Sequence, residues 1–394
     1  MFEAKSKMIH YAQHETDDSD IAAVLKILTE GNLTQGSAVG EFEESFARYV
    51  NVTDATAVNS GTAALHLACL VLGVGPGDHV WTSPISFVAS ANCALYCGAV
   101  VDFFDVDEAG LVDVDKLKNK LQLASKAGAS PKALVLVHYG GVSCDMKAVR
   151  KLADEFEFRI IEDACHALGG SYAGAKVGSC EFSDVSTFSF HPAKLITTAE
   201  GGMLTASDSS LTERARLLRT HGITRRSSEL SGVVTYPWYY SQLELGFNYR
   251  MPDVLAALGA SQLSRVEDFL LKRRELSQRY DRLLEDVPVR PVHKGRYQTS
   301  GCHLYVVMVS DGLEGKRDQI IEFLRERGIE ANLHYQPIYS QPYFRSINKG
   351  IFCSNAEAFA KKIITLPLHT SLTEDHVQYI VESLSDATKR VLDE

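Results

Sequence analysis

The chain has 394 residues, 45% hydrophobic and 23% charged, a composition that suits a globular protein of two domains. Its formal charge of −10, from 40 basic and 50 acidic side chains, argues against a nucleic-acid-binding face. No apolar run approaches the ~18 residues of a membrane-spanning helix, and Met1-Phe2-Glu3-Ala4-Lys5 carries no signal-peptide pattern, so a cytoplasmic protein with no membrane role is expected.

In chain order, short β-rich runs alternate with helix-like stretches from Val52 to about Leu218. Strands are predicted at 55–59, 79–83, 100–104, 133–138, 159–162, 185–190 and 203–206. Helices suit 62–72, 87–97 and 146–156. Such alternation predicts an α/β domain with a mainly parallel or mixed sheet, whose ligands gather at the carboxyl ends of strands. Residues 225–241 hold Gly232, Pro237, Tyr236, Trp238, Tyr239 and Tyr240 and read as a long loop, a lid or an interface arm. One long helix or two shorter ones follow over 253–280, and then strand and helix patterns at 303–309, 318–327 and 375–392. The division predicted is a large domain over 1–255 and a small α/β domain over 256–394. Internal repeats are not evident.

Eight cysteines in a chain of this size do not indicate a disulfide framework. Cys93 and Cys97 are spaced to share a helical face. No histidine or second cysteine pair completes a zinc set, so buried free thiols and no metal are expected.

The chemistry concentrates in Ser189-Phe190-His191-Pro192-Ala193-Lys194 and the Ala199-Glu200-Gly201-Gly202 that follows. Upstream, Asp163 ends the run Phe158-Arg159-Ile160-Ile161-Glu162. A lone lysine is usually a solvated charge. A lysine after one strand and an aspartate at the end of another are what pyridoxal phosphate requires. The amine forms an imine with the cofactor aldehyde, and the carboxylate keeps the pyridine nitrogen protonated. Asn59-Ser60-Gly61-Thr62-Ala63-Ala64 follows a strand and opens a helix, where Gly61 permits close approach and N-terminal amides can hold phosphate. Ser189 offers a hydroxyl to the same phosphate. Phe87 is either a ring stacked on the pyridine or an ordinary core aromatic. His166 is either a donor to the cofactor phenolate oxygen or a structural histidine. Arg250 is either an anion partner or half of an exposed salt bridge.

The words D-A-C-H-A-L-G, S-F-H-P-A-K-L-I-T-T-A-E-G-G and G-F-N-Y-R-M-P-D-V-L-A-A-L-G resemble the sugar aminotransferases of the DegT/DnrJ/EryC1/StrS family. That resemblance runs from about Tyr11 into the C-terminal domain and implies fold type I of the pyridoxal phosphate enzymes. It implies Lys194 as the Schiff-base lysine, Asp163 at the pyridine nitrogen and Phe87 on the ring. It also implies Gly61, Thr62 and Ser189 at the phosphate, with Asn248 reaching the phosphate of the neighbouring subunit in a homodimer. K-V-G-S-C and H-Y-Q-P-I-Y-S-Q-P-Y-F look like the members that aminate a UDP-linked 4-keto-6-deoxy-N-acetylhexosamine for pseudaminic acid, with L-glutamate as donor. In such members Tyr11, the Gly31-Asn32-Leu33-Thr34 loop and His334-Tyr335-Gln336-Pro337 would line the sugar-nucleotide pocket. Physics alone reads those three as surface loops. The chain departs from the family pattern at Ser86, where threonine is common, and in its long 225–241 loop. Some members carry histidine in place of the lysine and remove a hydroxyl; Lys194 disfavours that outcome. Two other readings are a non-catalytic regulator that keeps the fold and a different pyridoxal enzyme, such as a lyase.

Overall fold

A computed structural model describes residues 8–230, 236, 238–347 and 350–393. Helices α1 (Asp18–Glu30) and α2 (Ala38–Val50) precede an alternating segment. It runs β1 (Asp54–Val58), α3 (Gly61–Val71), β2 (His79–Thr82), α4 (Ala89–Tyr96), β3 (Val100–Phe103), α5 (Val114–Lys126), β4 (Ala133–Val137), α6 (Met146–Phe156) and β5 (Arg159–Asp163). A short hairpin, β6 (Ser171–Tyr172) with β7 (Ala175–Lys176), leads to β8 (Val185–Ser189), β9 (Gly202–Ala206) and α7 (Ser209–Leu218). The strands β10 (Ile223–Thr224) and β11 (Ser241–Gln242) pair across the base of the expected loop. Gly232 and Pro237 of that loop lie outside the described residues, while the exposed Tyr236 and Trp238 rings stack at 4.6 Å. The predicted long helix is two, α8 (Asp253–Ser264) and α9 (Val266–Leu283). Then come β12 (Val289–Pro291), β13 (Tyr305–Val309), α10 (Arg317–Glu326), α11 (Pro342–Ile347), α12 (Ser354–Lys362), β14 (Ile363–Leu366) and α13 (Glu374–Asp393).

The seven predicted strands form one sheet in the order β1-β9-β8-β5-β4-β2-β3. The run β3, β2, β4, β5 and β8 is parallel, and β9 is antiparallel to both of its neighbours. Parallel strands covered on both faces are largely apolar, and every residue of the β4 sequence Ala-Leu-Val-Leu-Val is buried. Register then aligns the strand ends: Val137 pairs with Asp163, while Ser189 and Val58 both pair with Gly202. The carboxyl ends of β1, β4, β5 and β8 therefore share one edge of the sheet. A second, antiparallel sheet has the order β12-β13-β14.

Ala256 and Leu263 of α8 share an apolar cluster with Phe42 and Phe46 of α2, whereas Leu276 and Tyr280 of α9 join the cluster of the three-stranded sheet. We propose α9 as the connector between a large and a small domain, which puts the division after α8 and not at the expected residue 255. Among the described residues no helix is long and apolar enough to cross a membrane.

Consecutive strand residues point to opposite faces, so Glu162 turns away from the face that Asp163 serves. Glu162 is buried and meets the fully buried His138 at 2.7 Å, with Ser186 Oγ donating at 2.8 Å. The Cys144 amide donates to His138 Nδ1 at 3.2 Å, so the ring gives its Nε2 hydrogen to the Glu162 carboxylate. Replacing His138 by leucine takes one charge-assisted bond from this buried carboxylate, which Ser186 still serves, a loss of about 1.5–3 kcal/mol. Urea unfolding of the cofactor-free protein at pH 7 should show it, and an unchanged midpoint would mean the pair contributes nothing.

Candidate active site

Lys194 does not sit on a strand. It rides in a turn whose two ends are tied together: the Phe190 amide donates to the Gly201 carbonyl at 2.9 Å, and the Phe190 carbonyl accepts from the Thr198 amide at 2.9 Å. Thr197 Oγ1 adds a third bond to the same carbonyl at 3.0 Å. The Phe190 ring is fully buried against Phe42 and Phe46. Gly201 has no alternative at the neck of this turn, since a Cβ there would stand 2.2 Å from Thr198 Oγ1.

The turn carries Lys194 to a cavity of ≈ 480 Å³ at the shared strand edge. Asp163 lines it with its carboxylate buried, accepting from Ser90 Oγ at 2.6 Å and from the Cys165 amide at 3.3 Å. Ser90 Oγ in turn lies 2.6 Å from Ser86 Oγ. Burial pulls the Lys194 ammonium below the ordinary lysine range, against the opposing pull of Cys165 and Asp163. His166 is neutral. Burial first, then Lys194 and His334, push its imidazole well below the usual histidine range. Its Nε2 faces Tyr335 Oη at 3.3 Å, and its buried Nδ1 has no hydrogen-bond partner among the described residues.

At the other end of the cavity, Gly61 opens α3 beside Ser189. A Cβ on Gly61 would lie 2.7 Å from the Ser189 Cβ, so glycine is what lets the helix start close to the end of β8. Ser60 Oγ caps the Ala63 amide at 3.1 Å, while Gly61 and Thr62 open the first turn at the cavity wall. Phe87 also lines the cavity and is 60% exposed, so it is not a core aromatic. Tyr11, His334 and Tyr335 complete the wall; burial, then Lys194, lowers His334 to about 3.

Other expected residues stay off this cavity. Gly31, Asn32, Leu33 and Thr34 are exposed in the turn after α1, which is tied elsewhere by the Asp253 amide donating to the Leu33 carbonyl at 3.0 Å. Gln336 is exposed, and Pro337 is buried ahead of a short turn at Ile338–Ser340. Asn248 and Arg250 lie on a segment that bridges to Thr220 and Val58, and the Asn248 carbonyl accepts from Asn59 Nδ2 at 3.2 Å. The Asn248 side chain is exposed and not part of its own chain's cavity, and Arg250 has no ion pair among the described residues.

Local motifs did not single out His303 or Ser90. His303 Nε2 lies 3.4 Å from Lys194 Nζ, although the two are 109 residues apart. Its loop is held by Arg273, which is 2% exposed and donates through Nη1 to the carbonyls of Cys302 and His303, each at 3.2 Å, and of Leu368 at 3.0 Å. The Leu368 amide donates to the Tyr11 carbonyl at 3.0 Å, so the N-terminal arm is tied to the same clamp.

This is the strand-edge lysine site of a pyridoxal phosphate enzyme, and comparison with known proteins agrees. Residues 14–385 match the model of the DegT/DnrJ/EryC1/StrS aminotransferase family, and the chain belongs to that family. It is 36% identical over 385 residues to the UDP-4-amino-4,6-dideoxy-N-acetyl-beta-L-altrosamine transaminase of Campylobacter jejuni, covering 98% of each chain. Helicobacter pylori PseC, an aminotransferase involved in the biosynthesis of pseudoaminic acid, superposes with a TM-score of 0.89 at 33% identity, covering 98% of this chain and all of that one. The putative sugar aminotransferase Spr1654 of Streptococcus pneumoniae in its PLP form gives 0.86 at 29% identity, covering 98% of this chain and 99% of that one. The chain is an aminotransferase of the nucleotide-sugar type, and its cofactor is pyridoxal phosphate. The residues present fit that cofactor: an amine and a buried carboxylate on one cavity, an unpartnered His166 Nδ1, and a glycine-opened helix start beside a serine.

Replacing Ser90 by alanine leaves Asp163 Oδ2 buried with one charge-assisted bond fewer, a loss of about 1.5–3 kcal/mol. The cofactor-free protein should lose urea stability of that order at pH 7. Superimposable unfolding curves would show the contact to be without weight.

Proposed function

We propose that this enzyme transfers an amino group from L-glutamate to the 4-keto carbon of a UDP-linked 6-deoxy-N-acetylhexosulose, as a step of pseudaminic acid biosynthesis. The observation that carries the reading is the meeting of Lys194, Asp163 and His166 on one cavity whose wall also includes Tyr11, His334 and Tyr335. The near full-length similarity to the Campylobacter jejuni transaminase supports the substrate class.

Pyridoxal phosphate bound in this cavity supplies an aldehyde that carries the amino group and a ring that takes up the electron pair released at the reacting carbon. The rest belongs to the chain. In this reading the Lys194 amine binds the cofactor and, when free, takes and returns the proton at the amino-bearing carbon. A lysine ordinarily titrates near ~10.4, so only a depressed amine is an effective base near neutrality, and burial acts in that direction on Lys194. Asp163, held by Ser90, keeps a proton on the ring nitrogen. Phe87 covers the ring, and His166 donates from Nδ1 to the phenolate oxygen. Gly61, Thr62 and Ser189 hold the phosphate, with helix N-terminal amides contributing. Tyr11, His334 and Tyr335 contact the sugar nucleotide, with Gly31, Asn32, Leu33, Thr34, Gln336 and Pro337 around the outer mouth. Glutamate and keto-sugar use the same cavity in turn. The proposed compartment is the cytoplasm, where buried free thiols such as Cys69 and Cys93 remain reduced.

Adding L-glutamate to the purified protein should bleach the visible absorbance of the bound cofactor and release 2-oxoglutarate. The UDP-linked 4-keto sugar should then be converted to a 4-amino sugar, identified by NMR. Lys194→Ala should lose both half-reactions. Turnover restricted to 3-keto sugars or small keto acids would sink the substrate reading, and a protein that never takes up cofactor would favour the regulator.

We further propose Arg250 as an anion partner for the glutamate carboxylates, and a twofold homodimer in which Asn248 reaches the cofactor phosphate of the neighbouring subunit. Its exposed side chain, away from its own cavity, supports this reading. Mixing Lys194→Ala with Asn248→Ala chains should create hybrids with one doubly altered site and one intact site. Random exchange then restores up to roughly a quarter of wild-type activity. Native mass spectrometry would verify the exchange, and verified hybrids with no recovered activity would remove Asn248 from the neighbour's site.

A further inference from the structure

His303 belongs to none of the roles above, yet it is the side chain that meets the Lys194 amine. Its Nε2 is 3.4 Å from Lys194 Nζ, and its Nδ1 is buried without a hydrogen-bond partner among the described residues. The ring has little freedom. Its centroid lies 4.4 Å from that of His166, and the residue is 6% exposed. Its amide donates to the Gly140 carbonyl at 3.1 Å, and its carbonyl accepts from Arg273 at 3.2 Å. Two nitrogens at this separation share one hydrogen, with an amine hydrogen pointing into the imidazole lone pair or the reverse.

The surroundings decide which. Lys194, His166, Arg273 of α9 and His334 from the segment before α11 act on the ring, while Asp163, Cys165 and Tyr335 line the same cavity. Burial first, then the positive charges of Lys194 and Arg273, keep His303 unprotonated beyond its single neutral hydrogen. A neutral imidazole beside an amine with several hydrogens acts as the acceptor. Its own hydrogen then sits on Nδ1.

We propose that His303 is a positioning residue for the transamination, accepting a hydrogen bond from the free Lys194 amine through Nε2 and so setting the direction in which that amine presents its lone pair. The inference rests on Lys194 being the proton carrier. An amine on a flexible four-carbon stem has three rotamers about its terminal bond; one hydrogen directed at a fixed acceptor selects among them. The selection matters only while the lysine is free, which is when it must reach the reacting carbon.

Two polar replacements that differ in reach test this. In His303→Gln the amide oxygen extends to about the position of Nε2, and in His303→Asn it stops near Nδ1. The first readout uses the cofactor-free full chain: pH-dependent acetylation of Lys194, quantified by peptide mass spectrometry. The Gln variant should keep the wild-type midpoint, while the Asn variant, whose ammonium form has lost an acceptor, should shift down by ~0.5 pH units or more. The second readout is the glutamate half-reaction, followed by loss of cofactor absorbance at saturating glutamate. It should fall about tenfold in the Asn variant and stay within about threefold in the Gln variant, the scale of one hydrogen bond. If the two variants behave alike in both readouts, whether both active or both impaired, the proposal is overturned. Failure of the underlying reading has a different signature, a Lys194→Ala protein that still completes the half-reaction.

Discussion

The closure of the turn from Phe190 to Gly201 is the constraint on which the site depends. A buried phenyl ring contributes about 1.5–3 kcal/mol, and Phe190 combines that anchorage with backbone bonds from both its amide and its carbonyl. Lys194 is thereby delivered to the cavity by its backbone, without needing an ion pair to Asp163 to hold it there. That separation has a chemical effect. A lysine drawn in by a carboxylate would be stabilised as ammonium, whereas one placed by packing loses hydration with less compensation. The net depression of Lys194 reflects the second case.

The cavity wall is chemically sparse. Lys194 and Asp163 are joined by three imidazoles, His166, His303 and His334, each kept neutral mainly by burial. Among the described residues this wall has no arginine. Neutral imidazoles and tyrosine hydroxyls can orient a sugar by donating and accepting, but they do not balance the charge of a nucleotide diphosphate. In the homodimer proposed above, a second chain at the cavity mouth is one source of that positive charge.

Much of this was legible in the sequence. The seven strands of the large sheet fall within a residue of their predicted limits, because each is a short, largely buried run, the Ala-Leu-Val-Leu-Val of β4 most plainly. Lys194, Asp163, Gly61 and Ser189 were also visible, since each follows or ends such a run. His303 was not. It precedes β13, and only docking of its loop on Gly140 and Gly141 brings it to Lys194. Ser90 reads as an ordinary helix serine until the register of β5 puts Asp163 beside it. Phe87 remained ambiguous because periodicity cannot tell a core ring from one at a cavity lip. The outer residues Gly31 to Thr34 and Asn248 came from family likeness alone, and the single chain does not bring them to the cavity.

Arg273 deserves a different emphasis from the side chains it supports. Its bonds run to the backbone oxygens of Cys302, His303 and Leu368, and the last of these segments holds the Tyr11 arm. A clamp that grips only main chain is indifferent to what the gripped residues display. The clamp itself leaves the letters at positions 302 and 368 free to change while the distance between those stretches of chain is not, and position 303 keeps its histidine for Lys194. Position and identity are thus under separate control, and the same scaffold can be re-lettered for another sugar without being rebuilt.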